Sequence, residues 1–315
     1  MTGMITTADK LSIVTWAFNL FSVLILLLIA LSWYRKKRLS LFGKVTLLLV
    51  LAGMVSFADA YWIEPNWLKT EHVVIHDPEL AEVLEGVKVV QISDIHLQGG
   101  LGNLERNLIA EINALKPDLL FITGDFFSDK QKMELAAEVS ALSELIRSFK
   151  TTTGIFGVPG NYDSPLKNPA IMKKIKAAGI DILINENRAV ALPNHKTLYL
   201  AGFGYCRRKN EKLKTFSGIP PDVPVVLLAH DPDNFDEAIE AGVNLLLVGH
   251  THGGQIGIPF LVEKSKKANK SPFMRGLFVR GRTKMYVNRG IATTHVPIRF
   301  FNRPEITVIK VIGDK

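Results

Sequence analysis

Cysteine is almost missing from this chain: Cys206 stands alone among 315 residues. That excludes an internal disulfide and any thiolate-rich zinc module. It leaves the compartment open, since a disulfide-free chain works on either side of a membrane. Charge is missing from Leu11 to Tyr34, 24 residues without one Asp, Glu, Lys or Arg. Acid is missing again from 264 to 284, a stretch that carries eight Lys or Arg residues. Internal repeats and low-complexity tracts are absent as well. The overall balance is basic, with net charge +8 and pI near 9.4. Residues 1–63 hold six Lys or Arg against Asp9 and Asp59, so half of the excess lies there. No specific nucleic-acid partner is therefore expected. What is abundant is apolar: 47% of residues, with mean hydropathy +0.17, and most of the surplus is N-terminal.

At helical rise, residues 11–34 span roughly 36 Å, enough to cross a hydrocarbon core of about 30 Å. A signal peptide would end in small residues, whereas this run ends in Trp33-Tyr34 and then Arg35-Lys36-Lys37-Arg38. A second apolar run, 41–63, carries Lys44 and Asp59 near its ends, with Tyr61, Trp62 and Trp67 at the far boundary. Residues 1–63 thus read as a membrane anchor of two helices, 64–71 as a linker and 72–315 as the globular domain. The acid-free loop between the helices belongs in the cytoplasm by the positive-inside rule. The expectation is a multi-pass protein of the cell membrane with its globular domain outside the cytoplasm. A second run that merely lay on the surface would put the domain inside instead.

Beyond residue 70, short β-branched or Leu-rich runs alternate with amphipathic stretches. The runs are Val87–Ile92, Leu119–Thr123, Gly154–Val158, Ile180–Ile184, Val225–Leu228 and Leu245–Val248. The stretches are Leu104–Leu115, Met133–Phe149, Ile171–Ala178 and Phe235–Ala241. This is the pattern of an α/β fold with buried, largely parallel strands. Residues 188–203 predict two strands around a turn at Pro193-Asn194, and Thr283–Asn288 and Glu305–Val311 add strands with no helix between them. The mixture predicts two sheets rather than one.

Polar residues sit just past the strand ends: Asp94 and His96, then Asp125, Asn161, His230, and His250 with His252. Carboxyl ends of strands are where crevices form in open α/β sheets. Packing does not explain five strands delivering Asp, Asn and His to one edge. The donors are oxygen and imidazole nitrogen without sulfur, which suits Mn, Fe, Zn or Co ions. Seven donors, one a bridging carboxylate, suffice for two ions, which together can hold a hydroxide and clamp a phosphoryl group.

The ordered blocks Asp94-x-His96, Gly124-Asp125, Gly160-Asn161, His230 and Gly249-His250-x-His252 resemble the calcineurin-like metallophosphoesterase family, from about residue 72 to 311. His250 to Gln255 and Tyr286 to Ile306 are similar to its membrane-tethered branch. The resemblance implies a four-layer α/β/β/α sandwich with two mixed sheets and two divalent metal ions, manganese favoured. It implies Asp94, His96 and His252 on the first ion, Asn161, His230 and His250 on the second, and Asp125 as bridge. Asp125, Asn161, Tyr162 and His230 are the implied catalytic set, and the nucleophile would be a hydroxide held by the metals rather than a side chain. Gly124, Gly160 and Gly249 allow close backbone approach.

The third block departs from the family, which usually has His where this chain has Tyr162. A phenol with pKa near ~10 is a poorer acid at neutral pH than imidazole. The departure favours diphosphates or activated diesters over alkyl monoesters. The expected substrate is a phosphorylated small molecule or lipid. The alternatives are a UDP-2,3-diacylglucosamine-type pyrophosphatase and, from another class, a non-hydrolytic metal-dependent scaffold or sensor. His72, His76 and His295 read as ordinary surface or core histidines. Asp163 and Gln255 adjoin donors and either orient them or solvate loops, while Asp231 and Asp233 read as caps of the helix near Phe235. Lys264, Lys266, Lys267, Lys270, Arg275, Arg280, Arg282 and Lys284 form a solvated face or, with Phe260, Leu261, Phe273, Met274, Leu277 and Phe278, a contact for anionic lipid.

Overall fold

The computed structural model describes residues 22–35, 39–128, 135–164, 169–205, 212, 214–269, 271–294 and 296–313. The start of the expected helix 11–34, Lys36 to Arg38, Met133, Cys206, Lys270 and His295 lie outside the described residues.

The described part of the first apolar run is helix α1, Ser22–Arg35. Helix α2, Leu41–Ala58, is capped by Ser40, whose hydroxyl accepts the Gly43 N–H at 3.1 Å. It runs on through a π turn, Asp59–Ile63, and a 3-10 turn, Glu64–Asn66. The continuous helical stretch Leu41–Asn66 is 26 residues, about 39 Å at helical rise. It is apolar all round, and its apolar stretch is not buried in the protein. Among the described residues it is the one helix long and apolar enough to cross a membrane, and the described part of the first run, Ser22–Arg35, is too short for that. Residues 64–71, expected as a linker, hold that last turn and the start of a strand instead. Glu64 is buried there.

Two six-stranded mixed sheets follow. The first runs, edge to edge, through β1 (Lys69–His76), β12 (Glu305–Ile312), β2 (Val89–Ile92), β3 (Leu119–Ile122), β4 (Gly154–Gly157) and β5 (Asp181–Ile182). The second runs through β10 (Gly276–Arg280), β11 (Thr283–Val287), β9 (Leu245–Val248), β8 (Val225–Leu228), β7 (Thr197–Gly202) and β6 (Glu186–Ala191). In the first, β2, β3 and β4 are parallel neighbours, and only β12 against β2 is antiparallel. In the second, β7, β8, β9 and β11 are parallel.

Alternation along each strand explains the layers. Val90, Ile92, Leu120 and Ile122 pack against helices α4 (Asn103–Leu115), α5 (Leu135–Ser148) and α6 (Pro169–Ala177). Their neighbours Val89, Leu119 and Phe121 turn the other way and meet Leu198, Val226, Leu228, Leu245 and Leu247 between the sheets. Leu227, Leu246 and Val248 face outward again, onto helix α7 (Phe235–Glu240). Each buried Val, Leu or Ile contributes about 1.5–3 kcal/mol relative to exposure, so the middle layer holds the two sheets face to face and the outer two hold the helices on them. This is the four-layer α/β/β/α sandwich. Gln91 crosses between sheets, its Nε2 donating to the Val248 carbonyl at 3.0 Å. Helix α3 (Pro78–Val83), helix α8 (Pro259–Asn269) and strands β1 and β10 complete the fold.

Candidate metal centre

The parallel strands β2, β3, β4, β8 and β9 all end at one edge, and each is followed at once by its polar residue. The backbone is bent hard there. Asp94, His96, Asp125, His250 and His252 all have positive φ, between 45° and 72°. Non-glycine residues rarely sit there, and when they do it is at sites where surrounding contacts hold them. Neighbouring loops supply those contacts. Asp94 N–H donates to Gly124 O, and His96 N–H to Asp125 O, each at 3.0 Å. Two glycines permit the crowding: a Cβ on Gly160 would stand 2.1 Å from Asp125 Oδ1, and one on Gly249 would stand 1.9 Å from Ser93 Oγ.

Two groups of donors result, each with its ligand atoms within 4.8 Å of one another. In the first, His252 Nε2 lies 3.3 Å and His96 Nε2 3.8 Å from Asp94 Oδ1, and the two Nε2 atoms are 3.2 Å apart. In the second, His230 Nε2 lies 3.3 Å from Asp125 Oδ2, 3.1 Å from His250 Nδ1 and 3.2 Å from Asn161 Oδ1. Asp125 Oδ2 is also 3.7 Å from His96 Nε2, so one carboxylate stands within reach of both groups. All seven expected donors are together; five are buried, and Asn161 and His250 are half-buried.

The hydrogen bonds behind the rings set which nitrogen faces inward. His96 Nδ1 meets Phe127 O at 3.2 Å, His252 Nδ1 meets Ala292 O at 3.1 Å, and His230 Nδ1 meets Thr123 O at 2.7 Å. A carbonyl accepts only, so each Nδ1 carries a hydrogen, and the neutral rings of His96 and His252 turn an Nε2 lone pair into the centre. Lone pairs of His96 and His252 therefore converge on Asp94 Oδ1, a fully buried atom without a hydrogen-bond partner. Such convergence is costly unless a cation lies among the donors. The residues fit a divalent metal at this place.

Electrostatics agree. Burial works against charge on His230, but the nearby Asp125 and Asp94 outweigh it and raise its pKa to about 10. Burial works against the Asp94 carboxylate too, yet His252, His230 and His96 hold its pKa well below the usual range. Burial, reinforced by the charges of His96 and Arg299, pushes His252 down to about 3. The two carboxylates thus favour positive charge at this place, which a bound cation supplies directly.

The surrounding residues sort out on inspection. Asp163 is fully buried and accepts the N–H groups of Phe126, Phe127 and Gly160 at 3.0, 3.1 and 3.2 Å. It thereby clamps the Asp125 loop to the Asn161 loop. Gln255 ties the His252 turn to the 294–296 segment through Thr294 N–H and Val296 O. Asp231 caps the turn Pro232–Asn234, accepting from Asp233 N–H at 3.0 Å, and both Asp231 and Asp233 line a cavity. His72 and His76 are exposed on β1. Tyr162 donates its backbone N–H to Asp125 Oδ1 at 2.9 Å, and its ring stands edge-on to His96 at 5.2 Å.

Sequence reasoning missed Tyr205, Arg299 and Asn302. Tyr205 packs 6.0 Å from His230 and 6.3 Å from His250, ring to ring. The basic run is corrected in part. Arg280, Arg282 and Lys284 pair with Asp236, Glu79 and Asp77 at 2.8, 2.6 and 2.8 Å. Met274 is buried. The acids lie far off in sequence, so a local charge count does not find them.

Two mixed sheets whose strand ends gather paired N and O donors define a metal-dependent hydrolase. The chain belongs to the calcineurin-like phosphoesterase family, whose model matches residues 87–254. It is 27% identical over 83% of its length to "Phosphodiesterase YaeI" of Escherichia coli, covering 95% of that protein. It is 31% identical over 84% of its length to the bovine "Transmembrane protein with metallophosphoesterase domain", of which it spans 60%. It is 25% identical over 84% of its length to "UDP-2,3-diacylglucosamine pyrophosphatase LpxG" of Chlamydia muridarum, covering 95% of that protein. The chain is thus a hydrolase of phosphoester-type bonds. The transmembrane relative and the helix Leu41–Asn66 indicate membrane association.

Proposed function

We propose that this chain is a membrane-anchored phosphoesterase that hydrolyses a phosphodiester or diphosphate of a small molecule or amphiphile. Asp94, His96 and His252 would hold one divalent ion, Asn161, His230 and His250 a second, and Asp125 both. Bound ions supply Lewis-acid charge and lower the pKa of a water molecule. The observation that carries the reading is Asp94 Oδ1, buried without a hydrogen-bond partner among inward-facing imidazole lone pairs. The nitrogen and carboxylate donors suit manganese, with iron, zinc and cobalt as alternatives.

The chain's own residues have the following tasks. The carbonyls of Phe127, Ala292 and Thr123 hold the three imidazoles in one tautomer. The Tyr162 N–H occupies Asp125 Oδ1 and leaves Oδ2 facing both groups. Asn161 turns its amide oxygen toward His230 at 3.2 Å, as a ligand of the second ion would. The Tyr162 hydroxyl would hydrogen-bond the departing oxygen without giving up its proton readily, so that good leaving groups are favoured. A cavity of about 270 Å³ opens beside His230, lined by Phe203, Tyr205, Lys212, Asp233, Asn234 and Glu237. Its polar walls suit a hydroxylated or zwitterionic head rather than an acyl chain.

The membrane arrangement proposed is a two-helix anchor, 11–34 and 41–63, with the catalytic domain outside the cytoplasm. An apolar, uncovered helix at Leu41–Asn66 and the acid-free basic loop before it support this. The likeness to LpxG favours one second reading, pyrophosphatase action on a UDP-diacylglucosamine-type substrate, which needs a cytoplasmic domain. Two experiments decide. The full chain in detergent with Mn²⁺ is offered aryl and alkyl diesters, monoesters and lipid-linked diphosphates, and diesters or diphosphates are expected to lead. Preference for alkyl monoesters would overturn the proposal. Reporter fusions at residue 315 are expected to signal outside the cytoplasm, and signal only from inside would support the second reading.

A further inference from the structure

The helix that meets the membrane is not separate from the metal centre. Its last turn begins at Glu64, a buried carboxylate. Glu64 accepts the backbone N–H of Phe301 at 2.8 Å and that of Asn302 through its other oxygen. One turn earlier, the Ala60 carbonyl accepts the N–H of Arg299 at 2.9 Å. The segment 299–302 is therefore held at both ends by the helix terminus. It bends there, for Phe301 has φ 52° with its side chain largely exposed. An aromatic residue in that region persists only where neighbours hold it.

From the same segment, two fully buried side chains reach the first donor group. Asn302 Nδ2 donates to the carbonyl of His252 at 2.7 Å. The Arg299 guanidinium donates to the carbonyls of Asn302, Arg289, Gly290 and Ala292, between 2.6 and 3.1 Å. Ala292 O also receives His252 Nδ1, and Ala292 N–H donates to Asp94 O at 2.9 Å. A single residue, Asn302, thus stands between Glu64 and the backbone of His252. No comparable link from the helix reaches His230 or His250 among the described residues.

We infer that Glu64 is a positioning residue for the first donor group: the end of the membrane helix sets His252 through Asn302 and Arg299, making the tether part of the site. The inference rests on the reading that Asp94, His96 and His252 hold a metal ion. Two consequences follow. A chain cut before residue 69 should bind one ion poorly even though it keeps all seven donors. The coupling should also be one-sided, weakening the first group and sparing the second.

The test is Mn²⁺ binding by the full chain in detergent, wild type against Glu64→Ala and Glu64→Gln, with bound and free ion measured by electron paramagnetic resonance. Wild type should take two ions. A wild type that takes none would remove the metal reading itself, a different failure. Glu64→Ala should weaken one of the two binding steps at least tenfold and leave the other unchanged. Glu64→Gln, which keeps an acceptor oxygen for the loop N–H groups, should restore most of the lost affinity. Two wild-type steps in Glu64→Ala would overturn the inference, as would equal weakening of both in a folded variant. Should Glu64→Ala fail to fold, Glu64→Gln decides, since it must still show a loss of about threefold confined to one step.

Discussion

The two donor groups differ in what lies behind them. Asp94, His96 and His252 back onto buried structure: the fully enclosed Arg299, Asn302, the Gly290 turn and, through these, the end of the membrane helix. His230, His250 and Asn161 face a cavity with Tyr205 at its wall. Asp125 stands between them, reaching both. One side is enclosed and the other opens on the cavity. On the proposed reading, the first holds its ion in place and the second admits substrate.

The sharpest way to break the comparison is to remove its shared member. Asp125→Asn should abolish two-ion occupancy and lower hydrolysis by about 10³ or more, the upper range for a single electrostatic element. His250→Ala should cost the second ion while the first is kept, and metal analysis of both variants checks this. Next comes the buried frame. Arg299→Met leaves several carbonyls without a donor and Glu64 without a nearby counter-charge, which costs about 3–5 kcal/mol. Thermal unfolding should register it as a clear fall in Tm, whereas Tyr205→Phe, on the open side, should leave Tm nearly unchanged.

A smaller effect is expected at Tyr162, beside His96. Tyr162→His should speed substrates with poor leaving groups by about 10² and good ones little. A plot of log kcat/KM against leaving-group pKa should therefore be steeper for wild type than for the variant. Parallel lines would mean that no acid is missing there. Smallest is Arg280→Ala. Its partner Asp236 is exposed, and such pairs contribute within ~1 kcal/mol. Unchanged retention on anionic vesicles would also show that this arginine serves Asp236 rather than lipid.

The strands, and the seven polar residues that the fold gathers at their ends, were legible because each block joins a short apolar run to a polar residue at its end. Both features are local. The backbone strain at Asp94, His96, Asp125, His250 and His252 was not legible, because positive φ in Asp or His leaves no mark on composition. Nor was β1: Lys69–His76 mixes Lys, Thr, Glu and His on a sheet edge, so no clean alternation appears. Arg299 and Glu64 were hidden for a third reason. Glu64 is recognised as buried only by partners more than 200 residues away, and it looked like the start of a linker. Arg299 is satisfied by backbone carbonyls of its own loop, which leave no mark in composition. The basic run misled in the same manner, since Asp77 and Glu79 answer it from the other end of the domain.

Counting metal ions is the most direct test of the central claim. The full chain, loaded with Mn²⁺ and passed through a desalting column, should retain about two ions per chain by elemental analysis, falling to about one in His250→Ala. Retention of no transition metal by the wild-type chain would contradict the account, because Asp94 Oδ1 and the inward lone pairs of His96 and His252 would then need a different explanation.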